Sequence, residues 1–482
     1  MHTPFFPAWR SRLAPFGHRV QQIRQATLPQ IEQLLGPFLP PQLLSQCDEG
    51  PNSRVRIFSL RRTFWAFLLQ VLTPRTSCRE IVRQFQALLG LHSEKQIDSA
   101  SSAYCQARGR LPLQRFKEAL QLSATEADRR SGQHGRLAGR PVKVVDGTTL
   151  QAPDTPANQR AFPQPSGQKR GCGFPVLKLS VLFSLASGAI EAVGLRNLHW
   201  HDLRIFRTLW SWLRAGDILL GDRAYGDYVS LAQLPRRGVD LVCRLHQSRK
   251  VDFRRGRRLG RDDALFTWKK GNVRPRYLTA LRWKALPAQI TVRVLRLRIA
   301  TGGFRTRHIS LVTTLLDPKL YPAEALFALY QRRWRLELCL RDLKTTLGME
   351  RLRCLSPTML AKELHAYLVA HNLIRCLMAD AAGTHQVPLE RLSFKGSVDS
   401  VRHFSSALAQ ASSRKKRRRL HRQLLAILAD DQVPERPGRR EPRAVKHRPK
   451  SYQLLTRPRH SFREIPHRTR WPRKKNQRVQ RA

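Results

Sequence analysis

The chain has 482 residues, with 88 Lys and Arg against 34 Asp and Glu, a formal charge of +54 and a pI near 11.6. Such an excess repels itself unless a polyanion neutralises it, so nucleic acid is the expected partner. A hydrophobic fraction of 41% excludes a merely disordered basic protein, and no apolar run nears the roughly 20 residues of a membrane span.

The length accommodates two or three domains. The first residues, MHTPFFPAWRSRLAPF, lack a continuous apolar stretch and a small-residue cleavage site, so no signal peptide is expected. Eight cysteines are scattered without paired zinc spacing, which fits reduced thiols in a cytosol.

From residue 1 to 135 the periodicity is helical (TLPQIEQLLGPFL, RRTFWAFLLQVLT, SCREIVRQFQALLGL, PLQRFKEALQLSATEADRR), which predicts an all-α N-terminal domain that binds DNA. The Gly-containing break in SSAYCQARGRLPLQRF fits a helix-turn-helix and fits ordinary helical packing equally well. After the Gly-rich joint SGQHGRLAGR, VKVVDGTTL reads as a buried strand ending at Asp146 and Gly147. A polar loop follows, then a meander of two strands (VLKLSVLFSL, AIEAVGL), a helix over HDLRIFRTLWSWLRAG, and a short strand DILLGD ending at Asp222. A helix near YVSLAQLPRRG and a strand VDLVCRL complete the order β-β-β-α-β-α-β. Right-handed crossovers would set the first and fourth strands side by side, with Asp146 and Asp222 at one end of the sheet, where open α/β sheets build their sites.

Residues 246–315 alternate apolar with basic side chains and read as a β-rich insertion. The arginines from Arg293 to Arg298 form either a solvated face or a DNA-facing strand. Long helices follow over 322–348 and 358–380, within a segment of 316–384. Residues 385–482 are polar and basic, with SRKKRRRLHRQ, and suit phosphate contact without sequence reading.

The segment YQRRWRLELCLRDLKTTLG, read as one helix, gathers Tyr330, Arg333, Glu337 and Lys344 within an arc of about 60°. An adjoining stripe of Leu329, Leu336, Leu340, Leu343 and Leu347 would dock it on a core. Asp146, Asp222 and Glu337 are thus three carboxylates from two strands and a covering helix. Hard oxygen donors of this kind suit Mg²⁺ or Mn²⁺, and two such ions can activate an attacking water or hydroxyl and stabilise the leaving oxygen of a phosphodiester. Taken singly, each Asp-Gly or Gly-Asp pair also fits a plain turn.

DGTT at Asp146, GDRAYGD around Asp222 and the Y-x2-R-x3-E-x6-K string of Tyr330, Arg333, Glu337 and Lys344 together resemble the DDE transposases of bacterial insertion sequences, the insertion-sequence-four-like group with the YREK signature. The resemblance covers roughly residues 136–380, and YQLLTRPR at 452–459 is similar to the family's C-terminal end. It implies an α/β, ribonuclease-H-like mixed sheet with flanking helices, in a catalytic domain of 136–245 and 316–384 interrupted by the β insertion. Asp146, Asp222 and Glu337 would be catalytic and hold two Mg²⁺ ions, with Mn²⁺ as a substitute. Tyr330, Arg333 and Lys344 would contact DNA beside the cleaved bond; the plain reading of Arg333 is an exposed partner of Glu337. Arg223 and Tyr225 are supporting candidates, and Asp202, Asp227, Asp240 and Asp342 are acidic bystanders. The implied partners are inverted-repeat transposon ends, target DNA and a second copy in a dimer, in a cytoplasmic, nucleoid-associated bacterial enzyme. Members of the group can excise through a hairpin with a base held against an aromatic ring; Trp268, Trp283 and Trp334 are available and the sequence does not choose among them. The rival readings are a non-catalytic DNA-binding protein derived from such an enzyme and a ribonuclease-H-like nuclease without strand transfer.

Overall fold

The computed structural model describes residues 31–45, 56–90, 98–132, 135–298, 308–434 and 461. The YQLLTRPR segment and most of the basic stretch beyond 434 lie outside the described residues.

After a short helical turn at Ile31–Leu35, the described residues form α1 (Leu60–Leu72), α2 (Cys78–Gly90), α3 (Ser102–Arg110) and α4 (Leu113–Ser131). The sheet then runs through β1 (Arg140–Gln151), β2 (Val176–Ser184), β3 (Ile190–Asn197), helix α5 (Asp202–Arg207), β4 (Ile218–Gly221), α6 (Tyr228–Gln233) and β5 (Asp240–Arg244). Four more strands follow: β6 (Arg257–Gly260), β7 (Asp263–Lys269), β8 (Gln289–Arg298) and β9 (His308–Thr313). The chain closes with α7 (Ala323–Arg332), α8 (Trp334–Arg341), a π-helical turn (Asp342–Thr346), α9 (Pro357–His385), α10 (Phe394–Gln410) and α11 (Arg414–Asp430).

All these strands lie in one mixed sheet of order β3-β2-β1-β4-β5-β9-β8-β7-β6. β1, β4 and β5 are parallel neighbours and the other pairs are antiparallel. The first and fourth sheet strands are therefore adjacent, as the crossover rule requires. The strands β6 to β9, within the stretch 246–315 read from sequence as an insertion, continue this sheet, because β9 pairs with β5 from Leu311↔Arg244 to Thr313↔Val242.

Side-chain alternation gives the sheet two apolar faces. Val142, Val144, Ile218, Leu220 and Val242 face a core shared with α1, α4 and α7 to α11, while Val145, Leu219, Leu241 and Cys243 face a second core under α5 and α6. α9 is buried nearly all round, as expected of a helix that is apolar on every side. It packs against α1 and α4 from the N-terminal part and against α11. Asn372, fully buried in its middle, ties three elements: its side chain accepts from Ile190 N at 2.8 Å and donates to Ile190 O at 2.8 Å and Leu120 O at 3.2 Å. A buried amide with its capacity this fully met fixes one arrangement of α4, β3 and α9.

Three local readings change. β1 does not stop at Asp146: Thr148, Thr149 and Leu150 carry on an unbroken pairing with β2 up to Gln151↔Val176, and it is the neighbour β4 that ends. Arg293 is neither solvated nor DNA-facing. It is fully buried, donating to Asp263 Oδ1 at 2.8 Å and to Tyr321 O at 2.7 Å, because alternation cannot distinguish a solvent-facing cation from one paired inside. The helix expected over 322–348 is three segments, with a tight turn at Arg333 (N–H to Tyr330 O, 3.1 Å) and the wide π turn closed by Leu347 N–H to Asp342 O at 3.0 Å. Among the described residues no helix is long and apolar enough to cross a membrane, and the described cysteines are free thiols.

Candidate active site at the end of the central strands

The parallel register of β1 and β4 pairs Val142 with Ile218 and Val144 with Leu220. Continued two residues further, it sets Asp146 opposite Asp222. Both aspartates share the parity of Val144 and Leu220, so their side chains leave the sheet on the face covered by α7, α8 and α9. β4 stops at Gly221, and Asp222 keeps an extended backbone (φ −75°, ψ −178°) before the turn Arg223–Tyr225. Asp222 is thereby exposed at the strand end, while Asp146 is half-buried.

Glu337 comes to this end on α8. Leu329, Leu340, Leu343 and Leu347 of the predicted stripe are buried, which docks the α7–α8 segment on the core and leaves Glu337 exposed. Arg333, one turn earlier, donates to Glu337 Oε1 at 3.1 Å. It is not the exposed partner the plain reading expects: its residue exposure is 6%, and its Nε is buried without a hydrogen-bond partner. Burial pulls the guanidinium's pKa down, but Tyr330, Asp146, Glu337 and Asp222 outweigh that and hold it above its ordinary value. One cation therefore sits within the field of all three carboxylates.

Tyr330, expected to contact DNA, is buried beneath the strand end. It is 3% exposed, and its hydroxyl donates to Gly221 O at 3.4 Å, the residue just before Asp222. Burial, offset in part by Arg333, pushes its pKa up to about 12. Lys344 is half-buried on the π turn, so it does not follow the 100° progression that set its place in the sequence reading.

Tyr225, a supporting candidate from the sequence, is packed at the strand ends. Its ring is buried on the opposite face of the strand ends, edge-on to Phe206 with centroids 5.1 Å apart. A Cβ on Gly221 would lie 2.7 Å from Tyr225 Cβ and 3.0 Å from Cys243 Sγ, and a Cβ on Gly147 would lie 3.4 Å from the Tyr225 hydroxyl. Gly221 thus makes room for the tyrosine, whereas a Cβ at Gly147 would meet its hydroxyl only at ordinary contact distance. Tyr330 on one face and Tyr225 on the other hold the strand ends between them.

Other polar residues have ordinary partners. Asp227 caps α6 and accepts from the Tyr277 hydroxyl at 3.0 Å, and Asp240 pairs with Arg140 at 2.7 Å. Asp202 pairs with Lys178 at 3.0 Å, and Arg223 donates to Gln247 at 2.9 Å. Asp342 is half-buried beside Arg341, with burial pushing its pKa up to about 6. Of the three tryptophans, Trp268 is buried beneath Arg249 and Trp283 is half-buried beside Lys270, whereas Trp334 is 52% exposed next to Arg333.

Burial raises the Asp146 pKa, Glu337 and Asp222 add to the rise, and the Gly147 N–H and Arg333 oppose it. Three carboxylates that repel one another, with hard oxygen donors, fit a divalent cation that would relieve that repulsion. Among the described residues no three acidic, His or Cys side chains are already drawn together as a metal cluster. Arg333 donates to Glu337 Oε1 and would compete with such a cation for that carboxylate.

Residues 137–373 match the family described as transposase DDE domain. The chain is similar to the transposase InsG for insertion sequence element IS4 of Escherichia coli (strain K12), at 26% identity over 425 residues, which is 87% of this chain and 92% of that protein. It is similar also to the probable transposase for insertion sequence element IS5377 of Geobacillus stearothermophilus, at 25% identity over 77% of this chain and 90% of the relative. A solved structure of the piggyBac transposase synaptic complex with hairpin DNA aligns with a TM-score of 0.40 at 8% identity, over 88% of this chain and 86% of that one.

Proposed function

We propose that this chain, whose residues 137–373 match the transposase DDE domain and which is similar to transposases of insertion sequences, is a DDE transposase that cuts the ends of its element and joins them to target DNA by metal-assisted phosphoryl transfer at Asp146, Asp222 and Glu337. The observation that carries this reading is the β1–β4 register, which sets Asp146 and Asp222 side by side on the face covered by the segment that bears Glu337. The catalytic fold is ribonuclease-H-like.

Two divalent ions, Mg²⁺ or Mn²⁺, held by these carboxylates would supply the Lewis acidity that activates the attacking oxygen and steadies the leaving one. Every other part belongs to the chain. Tyr330 and Tyr225 fix the strand ends, so the aspartates need little reorganisation. Arg333, freed from Glu337, turns its guanidinium and its unpartnered Nε to a non-bridging phosphate oxygen. Lys344 neutralises a neighbouring phosphate, and exposed Trp334 offers a ring for an unstacked base. The substrates are inverted-repeat ends and target duplex, and two copies pair two ends.

The test is nicking of the element's own end duplex by the purified chain with Mg²⁺. Asp146→Ala, Asp222→Ala and Glu337→Ala each abolish nicking and leave DNA binding intact. Retained cleavage in any one removes that residue from the site. Joining of a pre-cleaved end to a plasmid separates a transposase from a nuclease.

A further inference from the structure

The strongest charge concentration among the described residues lies at the start of α11 (Arg414–Asp430), on a different helix from Glu337. Its first two turns read Arg414, Lys415, Lys416, Arg417, Arg418 and Arg419, every one exposed. Six consecutive positions at 100° apart pass more than once around the axis, so the cations face every direction. None of them has a carboxylate partner among the described residues; the one side-chain bond there runs from Arg417 Nε to Ala411 O at 3.4 Å. The second half of the helix behaves differently: Leu424, Leu425, Leu428 and Ala429 are buried against the shared core. A rigid, positively charged finger thus stands out from an anchored base.

Its charge opposes the helix's own field. Cations are disfavoured at a helix N-terminus and acids at its C-terminus, yet α11 opens with six cations and closes on Asp430. Like charges three and four residues apart add repulsion. Ser413 accepts from Lys416 N–H at 3.2 Å and supplies a cap, but no carboxylate among the described residues offsets the charge. A run that weakens its own helix, and that has no carboxylate partner among the described residues, is matched by a partner carrying dense negative charge. An anionic membrane would need the apolar side of the helix, and that side is already in the core.

We propose that the first two turns of α11 grip the phosphate backbone of duplex DNA without reading its sequence, as a second DNA surface distinct from the catalytic site. The proposal rests on the transposase reading above. Lying on a helix packed against α9 and α10, the grip is held in fixed relation to the catalytic core. It suits the duplex beyond the cleaved bond or the target, where sequence-independent hold is what is needed.

The experiment uses the full chain with a duplex lacking the element's ends. Lysine acetylation footprinting should show Lys415 and Lys416 losing several-fold of their labelling on DNA binding. The variant R414Q/K415Q/R418Q/R419Q should lower the slope of log affinity against log salt by about 2 to 4 and weaken binding about 10-fold or more near 0.1 M salt. A wild-type chain that binds and cuts DNA while Lys415 and Lys416 stay fully labelled, or a variant with an unchanged salt slope, overturns the proposal and leaves the catalytic reading standing. Tighter binding of this helix to phosphatidylglycerol vesicles than to DNA overturns it as well. A wild-type chain that neither binds nor cuts DNA removes both.

Discussion

Two long stretches of helical sequence meet at the same core and end up unlike each other. α9 runs 29 residues without a break, is buried on almost every side, and has its central Asn372 fully bonded. The segment from Ala323 to Thr346 is interrupted at Arg333, widened into a π turn at Asp342, and leaves a buried guanidinium nitrogen without a partner. Unbroken pitch and burial on almost every side mark the element that holds the molecule together. Interrupted pitch, with a charged pair at its break, marks the segment that carries Glu337.

The contrast predicts separable effects. Glu337→Gln removes a carboxylate from an exposed position and should cut DNA cleavage by at least on the order of 10³-fold. Its urea midpoint should match wild type. Leu368→Ala, in the fully buried part of α9, should do the reverse, costing about 2–5 kcal/mol in urea unfolding with cleavage per folded molecule nearly unchanged. A stability loss in the first variant, or a specific catalytic loss in the second, would break the division of labour.

Gly221→Ala should fall between these two classes. The new methyl meets Tyr225 and Cys243, so about 1–3 kcal/mol of stability is lost, and the displaced strand end should lower cleavage beyond that loss. Equal melting temperatures and equal rates would show that the Tyr225 wedge does not position Asp222.

The smallest effect concerns His371 on α9, which is fully buried against Phe394. Burial, with Arg375 adding to it, pushes its pKa down to about 3 from an ordinary value near 6.5. The unfolded chain takes up a proton below pH 6.5 that the folded chain refuses. Stability from this group is therefore whole above about pH 6.5 and falls by up to about 1.4 kcal/mol per pH unit below it. Urea midpoints at pH 7, 6 and 5 should show that slope in wild type and a flatter one in His371→Gln.

How much of this was legible in the sequence follows the same division. The adjacency of the Asp146 and Asp222 strands follows from chain order and crossover handedness, and the leucine stripe under Glu337 follows from period alone. The π turn does not, because a window of 3.6-residue period carries no mark of where one turn takes an extra residue. Arg293 was missed since an inward cation and an outward one alternate alike. Gly221 reads as a turn residue because its reason, the Tyr225 ring across the strand end, is a tertiary contact. The burial of Tyr330 was hidden for a similar reason: spacing assigns a helix face but not what covers it.

The central claim, that Asp146, Asp222 and Glu337 jointly hold a divalent cation, is tested most directly by Fe²⁺-directed backbone cleavage of the full chain with ascorbate and peroxide. The account predicts cuts clustered near residues 146, 222 and 337, suppressed together by excess Mg²⁺ and lost in Glu337→Gln. Cuts elsewhere, or cuts that persist unchanged in Glu337→Gln, would contradict it.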